Sequence, residues 1–484
     1  MNKMYIYTSA QIKEIDSRAE KMGMSVFALM ENAGSGLFRH IRPLLKKTDR
    51  ILVAAGRGNN GGDGIVLARY LKNHGYLADL VFPLGEPKTA VSKAHLAYFR
   101  ACGYEAEHVD PEKTYDWIVD GLLGAGGRLP LRKDVAEWTA WMNGQKAKII
   151  AIDVPTGVSS DDGKVDGDAV RADYTFALHG FKPSAFLFPS SEYYGKTEAI
   201  DIGLPHDGRF RLWTEEDVRR TWPRVTGNTH KGTFGTGLLV AGSDEMPGAA
   251  ALAAIGVMRF GAGKLTVATT PRAASIIGSF VPEATFTYDL DKTDLGQFTA
   301  VAVGPGLPPD ERLEERITRL LALPVPIILD AGALSPRDYG KRKAPVIITP
   351  HPGEFARLTG RSTADIQADR IGLASRYAVE NNVIVVLKGK YTVIAFPDGT
   401  GFVNATGNRA LSKGGTGDTL TGMLLAAAGT RQKVEEAVAN AVYIHGACAD
   451  EWVGRFGEGT MAASDFARLL PAVCRRYEAD ATDF

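Results

Sequence analysis

Residues 408–422 read Asn-Arg-Ala-Leu-Ser-Lys-Gly-Gly-Thr-Gly-Asp-Thr-Leu-Thr-Gly, and the apolar run Met423–Ala428 follows directly. Gly414, Gly415, Gly417 and Gly422 crowd around one carboxylate, Asp418. Glycines ahead of a helix let backbone N–H groups converge on an anion, and the helix N-terminus adds partial positive charge. The stretch therefore reads as a phosphate cradle. A carboxylate there would repel a phosphate unless it takes a proton from a hydroxyl that attacks, or acquires, a phosphoryl group. The plain alternative is a Gly-rich helix start with an Asp in its first turn, where the macrodipole favours it.

A second cluster, Gly56-Arg-Gly-Asn-Asn-Gly-Gly-Asp-Gly64, follows the apolar run Ile51–Ala55 and precedes the helix-like stretch Ile65–Leu71. Strand, glycine turn, helix is the context of a nucleotide-phosphate loop. No Gly-Lys-Ser/Thr closes it, so it is not a Walker loop. Asn59 and Asn60 add amide groups that suit a monovalent cation or a ribose as well as a phosphate. The alternative is a tight turn with Asn and Gly at positive φ.

Working outward, alternating strand and helix signals surround both clusters. In the first half Ile51–Ala55, Leu77–Phe82, Trp117–Val119, Ile149–Val154 and Tyr174–Leu178 read as buried parallel strands. Helical patterns lie at Ile65–Asn73, Ser92–Ala101 and Val135–Met142, and Ser9 reads as the cap of a helix carrying Ile12, Ile15 and Ala19. The pattern breaks between Pro205 and Thr229, where Trp213-Thr-Glu-Glu-Asp looks like a short capped helix. A second alternation follows: strands at Gly237–Ala241, Leu265–Ala268, Ala300–Val303, Ile327–Leu329 and Val346–Ile348, a small-residue helix at Gly248–Phe260 that permits close backbone approach, and hairpin strands Val383–Leu387 and Tyr391–Ala395. The final stretch reads as helical. The expectation is an α/β chain of two doubly wound domains, 1–213 and 222–484.

At 484 residues the chain exceeds one typical core. The formal net charge is zero, so no general pull toward nucleic acid or an anionic membrane is expected. The three cysteines, Cys102, Cys448 and Cys474, are too few and too widely spaced for a disulfide framework or a Cys-rich metal site. There is no long uncharged apolar run and no signal-peptide pattern at the N-terminus, which makes the cytoplasm the expected location.

Ligands on open α/β sheets sit at the carboxyl ends of strands. At such ends lie Asp120-Gly-Leu-Leu-Gly-Ala-Gly-Gly-Arg-Leu129, Asp153-Val-Pro-Thr-Gly157, Val303-Gly-Pro-Gly306, Asp330-Ala-Gly-Ala333, Thr349-Pro-His-Pro-Gly-Glu354 and Lys388-Gly-Lys-Tyr-Thr392. His351, between two prolines after a strand, reads as a site residue rather than a core one. Lys388 reads either as a site ammonium or as a solvated strand-end charge.

Here a resemblance enters. Gly414-Gly-Thr-Gly-Asp-Thr-Leu-Thr-Gly422, with Lys388-Gly and Thr349-Pro-His-Pro-Gly-Glu-Phe-Ala-Arg-Leu358, resembles the NAD(P)H-hydrate dehydratase branch of the ribokinase-like superfamily. Gly58-Asn-Asn-Gly-Gly-Asp-Gly64, Asp120-Gly-Leu-Leu-Gly-Ala-Gly126 and Asp153-Val-Pro-Thr-Gly157 resemble the Rossmann-like NAD(P)H-hydrate epimerase domain. Together they cover nearly the whole chain in the order of the bacterial bifunctional NAD(P)H-hydrate repair enzymes.

The resemblance implies a repair chemistry. Reduced nicotinamide can add water, giving a dead hydrate as two epimers. The dehydratase would phosphorylate the hydroxyl of one epimer with ADP or ATP and let phosphate leave. Asp418 would take the hydroxyl proton, and the N–H groups of Gly414, Gly415, Thr416 and Gly417 would stabilise the transferred group, a contribution of about 3 kcal/mol per donor. Gly306, His351 and Asp418 would contact the hydrate. Lys388, Gly389, Lys390, Tyr391, Thr392 and Gly417 would contact the adenine nucleotide, with Mg²⁺ implied by phosphoryl transfer. The epimerase would interconvert the hydrates. Asn59, Asn60, Gly61, Gly62 and Asp63 with Gly124, Ala125, Gly126, Gly127, Arg128, Leu129 and Pro130 would cradle the phosphates. Asp153 would touch the nicotinamide end, with Lys182 as its acid partner unless Lys182 is a surface lysine in a turn. Asn60, Asp120 and Thr156 would hold K⁺. A homo-oligomer is also implied.

Three departures from the family pattern stand out. Thr156 replaces a frequent Ser and keeps the hydroxyl. Ala125 stands where Thr is common, removing one phosphate donor. Arg409-Ala-Leu411 replaces a frequent Pro-Gly-Met, which leaves the loop's role better defined than its shape. Two rival readings remain at this point. One is a ribokinase-like vitamin or sugar-alcohol kinase fused to a dinucleotide-binding module. The other makes the front half a non-enzymatic binding module.

Overall fold

The computed structural model describes residues 4–108, 113–224, 227–340 and 342–478. Of the expected helical final stretch, residues 479–484 lie outside the described residues. The chain divides into two compact units, Met1–Arg211 and Leu212–Phe484.

The first unit runs through β1 (Tyr5–Ile6), β2 (Arg50–Ala55), β3 (Leu77–Val81), β4 (Trp117–Gly121), β5 (Lys148–Ile152), β6 (Tyr174–Leu178) and β7 (Lys196–Ile200), and its boundary at Arg211 falls within β8 (Phe210–Trp213). Six strands form a parallel sheet in the order β3-β2-β4-β5-β6-β7. In β2, β4 and β5 the Val, Ile, Leu and Ala residues are buried on both faces, as helix-covered parallel strands require. The strand order reverses between β2 and β4, so the ligand crevice lies at the carboxyl ends of those two strands. Those ends carry Gly56–Asp63 and Asp120–Pro130.

Most elements lie where the sequence places them, within a residue or two. Two of the longer ones in this unit were not legible. The helix Val26–Ile41 contains Gly34 and Gly36, which lower helix propensity. Gly34 is needed because a Cβ there would stand 2.3 Å from Val66 Cγ1. The other is β7, an edge strand whose Lys-Thr-Glu start hides its character. The first helix, Ser9–Lys21, is capped by Thr8 and not by Ser9. Gln11 returns a hydrogen bond to the Thr8 N–H (2.8 Å), completing a capping box that only the Thr8 spacing allows. The Gly56–Gly64 cluster also differs from expectation. Asn59 already begins the helix Asn59–Asn73, and none of residues 56–64 has positive φ. Its glycines serve close approach: a Cβ on Gly56 would lie 1.9 Å from Leu122 O, and one on Gly61 would lie 1.9 Å from Gly56 O.

The second unit contains β9 (Thr236–Val240), β10 (Lys264–Ala268), β11 (Thr285–Thr287), β12 (Ala300–Val303), β13 (Ile327–Leu329), β14 (Val346–Ile348), β15 (Ile384–Leu387), β16 (Thr392–Ala395) and β17 (Gly401–Asn404). They are ordered β17-β16-β15-β14-β13-β12-β9-β10-β11. The run from β15 to β11 is parallel, and β16 and β17 are antiparallel additions. The reversal here falls between β9 and β12. Their ends are tied together, since the Gly242 N–H donates to Pro305 O (2.8 Å) and the Gly304 N–H to Val240 O (3.1 Å).

The helices Pro247–Arg259 and Thr416–Ala428 pack backbone to backbone, as the small residues of the former allow. A Cβ on Gly422 would stand 1.9 Å from Ala253 O, and one on Gly256 would stand 2.3 Å from Thr419 O. The obstacle is main chain and cannot rotate away. Gly422→Val is expected to destabilise this unit by about 3 kcal/mol through overpacking. Urea unfolding checks it, and an unchanged midpoint would refute the packing argument.

Candidate active sites

In the first unit Asp153 follows β5 with φ +68, a left-handed conformation that Asp tolerates better than most residues. This turn aims its carboxylate back over β6. The Leu178 N–H donates to Asp153 Oδ1 (3.1 Å), and Lys182 Nζ sits against the same oxygen. Lys182 is buried at 2 % exposure, so it is not a surface lysine. Its other two protons go to Leu178 O and Gly180 O, each at 3.1 Å. All three ammonium donors are therefore committed. Asp63, in the first turns of its helix, is buried; desolvation and then the charge of Asp153 hold its pKa well above the usual carboxylate range. Asp16 is raised as well, chiefly by burial. No motif pointed to Asp16, which comes from the helix Ser9–Lys21.

Asp120 ends β4 fully buried. It accepts from the Thr156 N–H (2.8 Å), the Thr156 hydroxyl (2.7 Å) and the Leu122 N–H (3.2 Å). Burial still dominates and pushes its pKa up to about 6. The Thr156 oxygen also accepts from the Leu123 N–H (3.0 Å). Asn60 lies against the same loop: a Cβ on Gly124 would be 3.0 Å from Asn60 Oδ1. The Asn60 Nδ2 is buried without a partner. Asn60, Asp120 and Thr156 thus lie around the turn Leu122–Gly124. The loop itself is held by Ser9 and Ser160, whose hydroxyls donate to Ala125 O (3.2 and 3.1 Å). Arg128 is exposed on it.

In the second unit the helix Thr416–Ala428 starts after Gly415 at φ +93, which puts Gly417 and Asp418 in its first turn. His445 Nε2 donates to Thr416 O (2.9 Å) and steadies that turn. Lys388 ends β15 and reaches in, donating to Asp330 Oδ1 (3.0 Å) with Glu354 Oε2 at 3.9 Å. It is ion-paired and not a solvated strand-end charge. Burial opposes its charge, but Asp330 and Glu354 offset this and hold its pKa above the usual value. A Cβ on Gly417 would lie 3.4 Å from Lys388 Nζ. The Thr421 hydroxyl donates to the other Asp330 oxygen (2.7 Å). Burial, then Asp330, push the Asp418 pKa up to about 6 against the pull of Lys388.

His351 is half-exposed and caps the helix Pro352–Thr359. Its Nδ1 accepts from the Gly353 and Glu354 N–H groups (3.1 and 3.2 Å). The ring proton is therefore on Nε2, 3.4 Å from Glu354 Oε1. Gly306 stands at φ +68, where a Cβ would meet Met246 O at 2.5 Å. The turn Lys388–Thr392 is pinned by the buried Arg370, which donates to Leu387 O, Lys388 O and Tyr391 O (3.0, 3.0 and 3.3 Å). Asp330 and Arg370 are the residues that sequence reasoning left without a role. Asp330 carried a signal, being polar at the end of Ile-Ile-Leu. Arg370 carried none.

If Asp418 is the base, kcat/KM for dehydration should fall about tenfold per pH unit below pH about 6, because only the ionised form accepts a proton. A pH–rate profile flat down to pH 4 would remove Asp418 from that role.

A family model described as NAD(P)H-hydrate dehydratase matches residues 237–472, and one described as YjeF-related protein N-terminus matches residues 26–184. The bifunctional NAD(P)H-hydrate repair enzyme of Moorella thermoacetica is 33% identical, over 98% of this chain and 97% of its own. The chain belongs to the bifunctional NAD(P)H-hydrate repair enzyme family. The ADP-dependent (S)-NAD(P)H-hydrate dehydratase of Bacillus subtilis is 47% identical, over 55% of this chain and 99% of its own. A crystal structure of the ADP/ATP-dependent Bacillus enzyme, co-crystallised with ATP/Mg²⁺, superposes with a TM-score of 0.53 at 47% identity, covering 55% of this chain and 98% of that one. A ribokinase-like superfamily protein of Enterococcus faecalis, 24% identical, shares the fold at a TM-score of 0.51 over 57% of this chain and 98% of its own. The two halves are thus Rossmann-like and ribokinase-like, and the full-length relatives favour a repair enzyme over a fused small-molecule kinase. Among the described residues no helix is long and apolar enough to cross a membrane.

Proposed function

We propose that the protein epimerises the R and S forms of hydrated NADH and NADPH and dehydrates the S form to NAD(P)H at the expense of ADP or ATP. The observation that carries this reading is Asp418, a base with its pKa at about 6 in the first turn of a glycine-started helix, beside the Lys388 ammonium. Asp418 takes the proton of the hydrate's hydroxyl as the hydroxyl oxygen bonds to the terminal phosphorus and the bond from that phosphorus to the nucleotide's bridging oxygen breaks, releasing AMP from ADP or ADP from ATP. Gly414 to Gly417 and Lys388 stabilise charge on the transferred group. The carbon–oxygen bond then breaks, phosphate leaves, and loss of the neighbouring ring proton restores the double bond. Gly306 and His351 position the hydrate, while Lys390, Tyr391 and Thr392 hold the nucleotide. Among the described residues no three His, Cys, Asp or Glu side chains group to hold a metal. Magnesium would therefore arrive on the nucleotide phosphates.

In the first unit Asp153 is proposed as the base of epimerisation. Lys182 pairs with it and orients it, and the loops at Asn59–Asp63 and Gly124–Pro130 hold the phosphates. The oxygen set of Asn60, Asp120 and Thr156 fits potassium, which when bound supplies a positive charge beside an otherwise uncompensated carboxylate. A cytoplasmic homo-oligomer completes the reading.

The potassium site has a thermal signature. The folded-state pKa of Asp120, about 6, lies above the usual 3.8. The cost of burying its ionised form therefore appears as pH rises from about 4 to about 6 and stays above that, at roughly 3 kcal/mol. K⁺ is expected to offset part of it, raising the Tm of this unit by about 4 °C at pH 8 and hardly at pH 5. Asn60→Ala should remove the shift. An equal shift with Na⁺ would sink the site's selectivity.

The whole reading is tested with a mixture of both epimers of hydrated NADH, Mg²⁺, K⁺ and either nucleotide, following reduced-nicotinamide absorbance. Recovery beyond one epimer's share supports both activities and names the donor. No recovery, or a stable phosphorylated alcohol from a vitamin precursor, would return the small-molecule kinase reading.

A further inference from the structure

A groove of about 310 Å³ opens at the carboxyl ends of β9, β10 and β11. Ser243, Thr269, Thr287, Tyr288, Arg312 and Arg316 line it. Its wall continues into the loop of Gly306: Gly242 lines the groove, and a Cβ on Gly306 would stand 3.3 Å from Gly242 Cα.

The two arginines are oddly placed for a structure-only role. They lie four residues apart on the helix Glu311–Leu321, so they share a face and repel. Arg312 sits in its first turn, where the macrodipole disfavours cations. Among the described residues neither forms an ion pair, although Arg319 on the same helix pairs with Asp291 and the nearby Arg337 with Glu314. Asp310 attracts Arg316, but burial and the charge of Arg312 press its pKa below the usual value. Two guanidinium groups against one carboxylate, Asp310, leave the charged lining of the groove net positive, and with its hydroxyls they match a phosphate monoester in charge and in donor geometry.

The span fits as well. Asp330 and Asp418 mark the reacting end beside β13. The order β13-β12-β9-β10 makes three inter-strand steps, about 14 Å in all. That is comparable to the separation of the two ends of an extended dinucleotide. The nucleotide donor would lie in the other direction along the sheet, at the turn between β15 and β16.

We infer that this groove holds the adenosine end of the hydrated dinucleotide, with Arg312 and Arg316 on the phosphate that the adenosine ribose of the NADPH form carries. The inference rests on the dehydratase reading and adds a preference for hydrated NADPH.

The full-length protein is tested as wild type, Arg312→Gln and Arg316→Gln, with the S hydrates of NADPH and NADH. In each variant KM for the NADPH hydrate should rise about tenfold, the loss of one charge-assisted hydrogen bond. KM for the NADH hydrate, KM for ADP and kcat should stay within about twofold, since these contacts lie far from the reacting atoms. Equal rises for both hydrates, no rise, or a rise in KM for ADP alone would each overturn the inference. Calorimetric binding of adenosine 2′,5′-bisphosphate, weakened in the variants while adenosine 5′-monophosphate is not, reads the groove without turnover. Arginine-dependent binding in a protein that restores no NADPH would refute the dehydratase reading and leave the phosphate groove standing. Absence of arginine-dependent binding in an active enzyme would refute the groove alone.

Discussion

Asp418→Asn is expected to lower kcat for dehydration by on the order of 10³-fold, at the upper part of the range for loss of a positioned general base. The amide keeps the shape and the place in the first turn, so Gly415, Gly417 and the helix start need not move. It removes a carboxylate that burial and the charges of Asp330 and Glu354 already disfavour. The variant should therefore unfold at the same temperature as the parent or a higher one. Activity lost without stability lost separates chemistry from folding, as expected where a site stores unfavourable electrostatics. Epimer interconversion by the first unit should stay within twofold. The measurement is absorbance recovery from the isolated S hydrate with ADP and Mg²⁺, beside a thermal scan. Retention of more than a tenth of the parent rate would exclude Asp418 as the base.

Lys182→Met should have the second large effect, on stability and activity together. Lys182 is buried at 2 % exposure and neutralises Asp153, whose other partner is the Leu178 N–H. Removing it strands a buried carboxylate, at a cost of about 3–5 kcal/mol. The unfolding midpoint of the first unit should drop by roughly 10 °C. Adding Asp153→Asn to Lys182→Met removes the stranded charge and should restore most of the lost stability. Epimerisation should be abolished in both. A double variant no more stable than Lys182→Met would show that the lysine acts through packing of its stem and not through its charge. Normal epimerisation in Asp153→Asn would favour a binding module in place of an epimerase.

The strand ends show how much was readable. Each glycine or Asp motif at the end of an apolar run was visible because strands buried on both faces write continuous apolar stretches, and the polar residue that ends one is conspicuous. Asp153-Val-Pro-Thr156 and Gly414–Asp418 stood out for this reason. What each motif does locally was less legible. The alternative reading of Gly56–Gly64, a tight turn with positive φ, fails: its glycines sit in or beside a helix, where Leu122 O and Gly56 O press against Gly56 and Gly61. Close approach to a distant backbone leaves the same letter in the sequence as a left-handed turn.

By itself the sequence determined the two α/β alternations, the cradle around Asp418, and the residues at strand ends where ligands gather. Those are consequences of backbone hydrogen bonding and burial within short segments, which repeat with the local period. The tertiary structure alone decided which charges meet. Lys388 is 58 residues from Asp330 and Lys182 is 29 from Asp153 along the chain. Strand order, not sequence spacing, brings each pair into a buried contact, where the low dielectric makes the partner's charge decide whether the group is an acid, a base or an anchor.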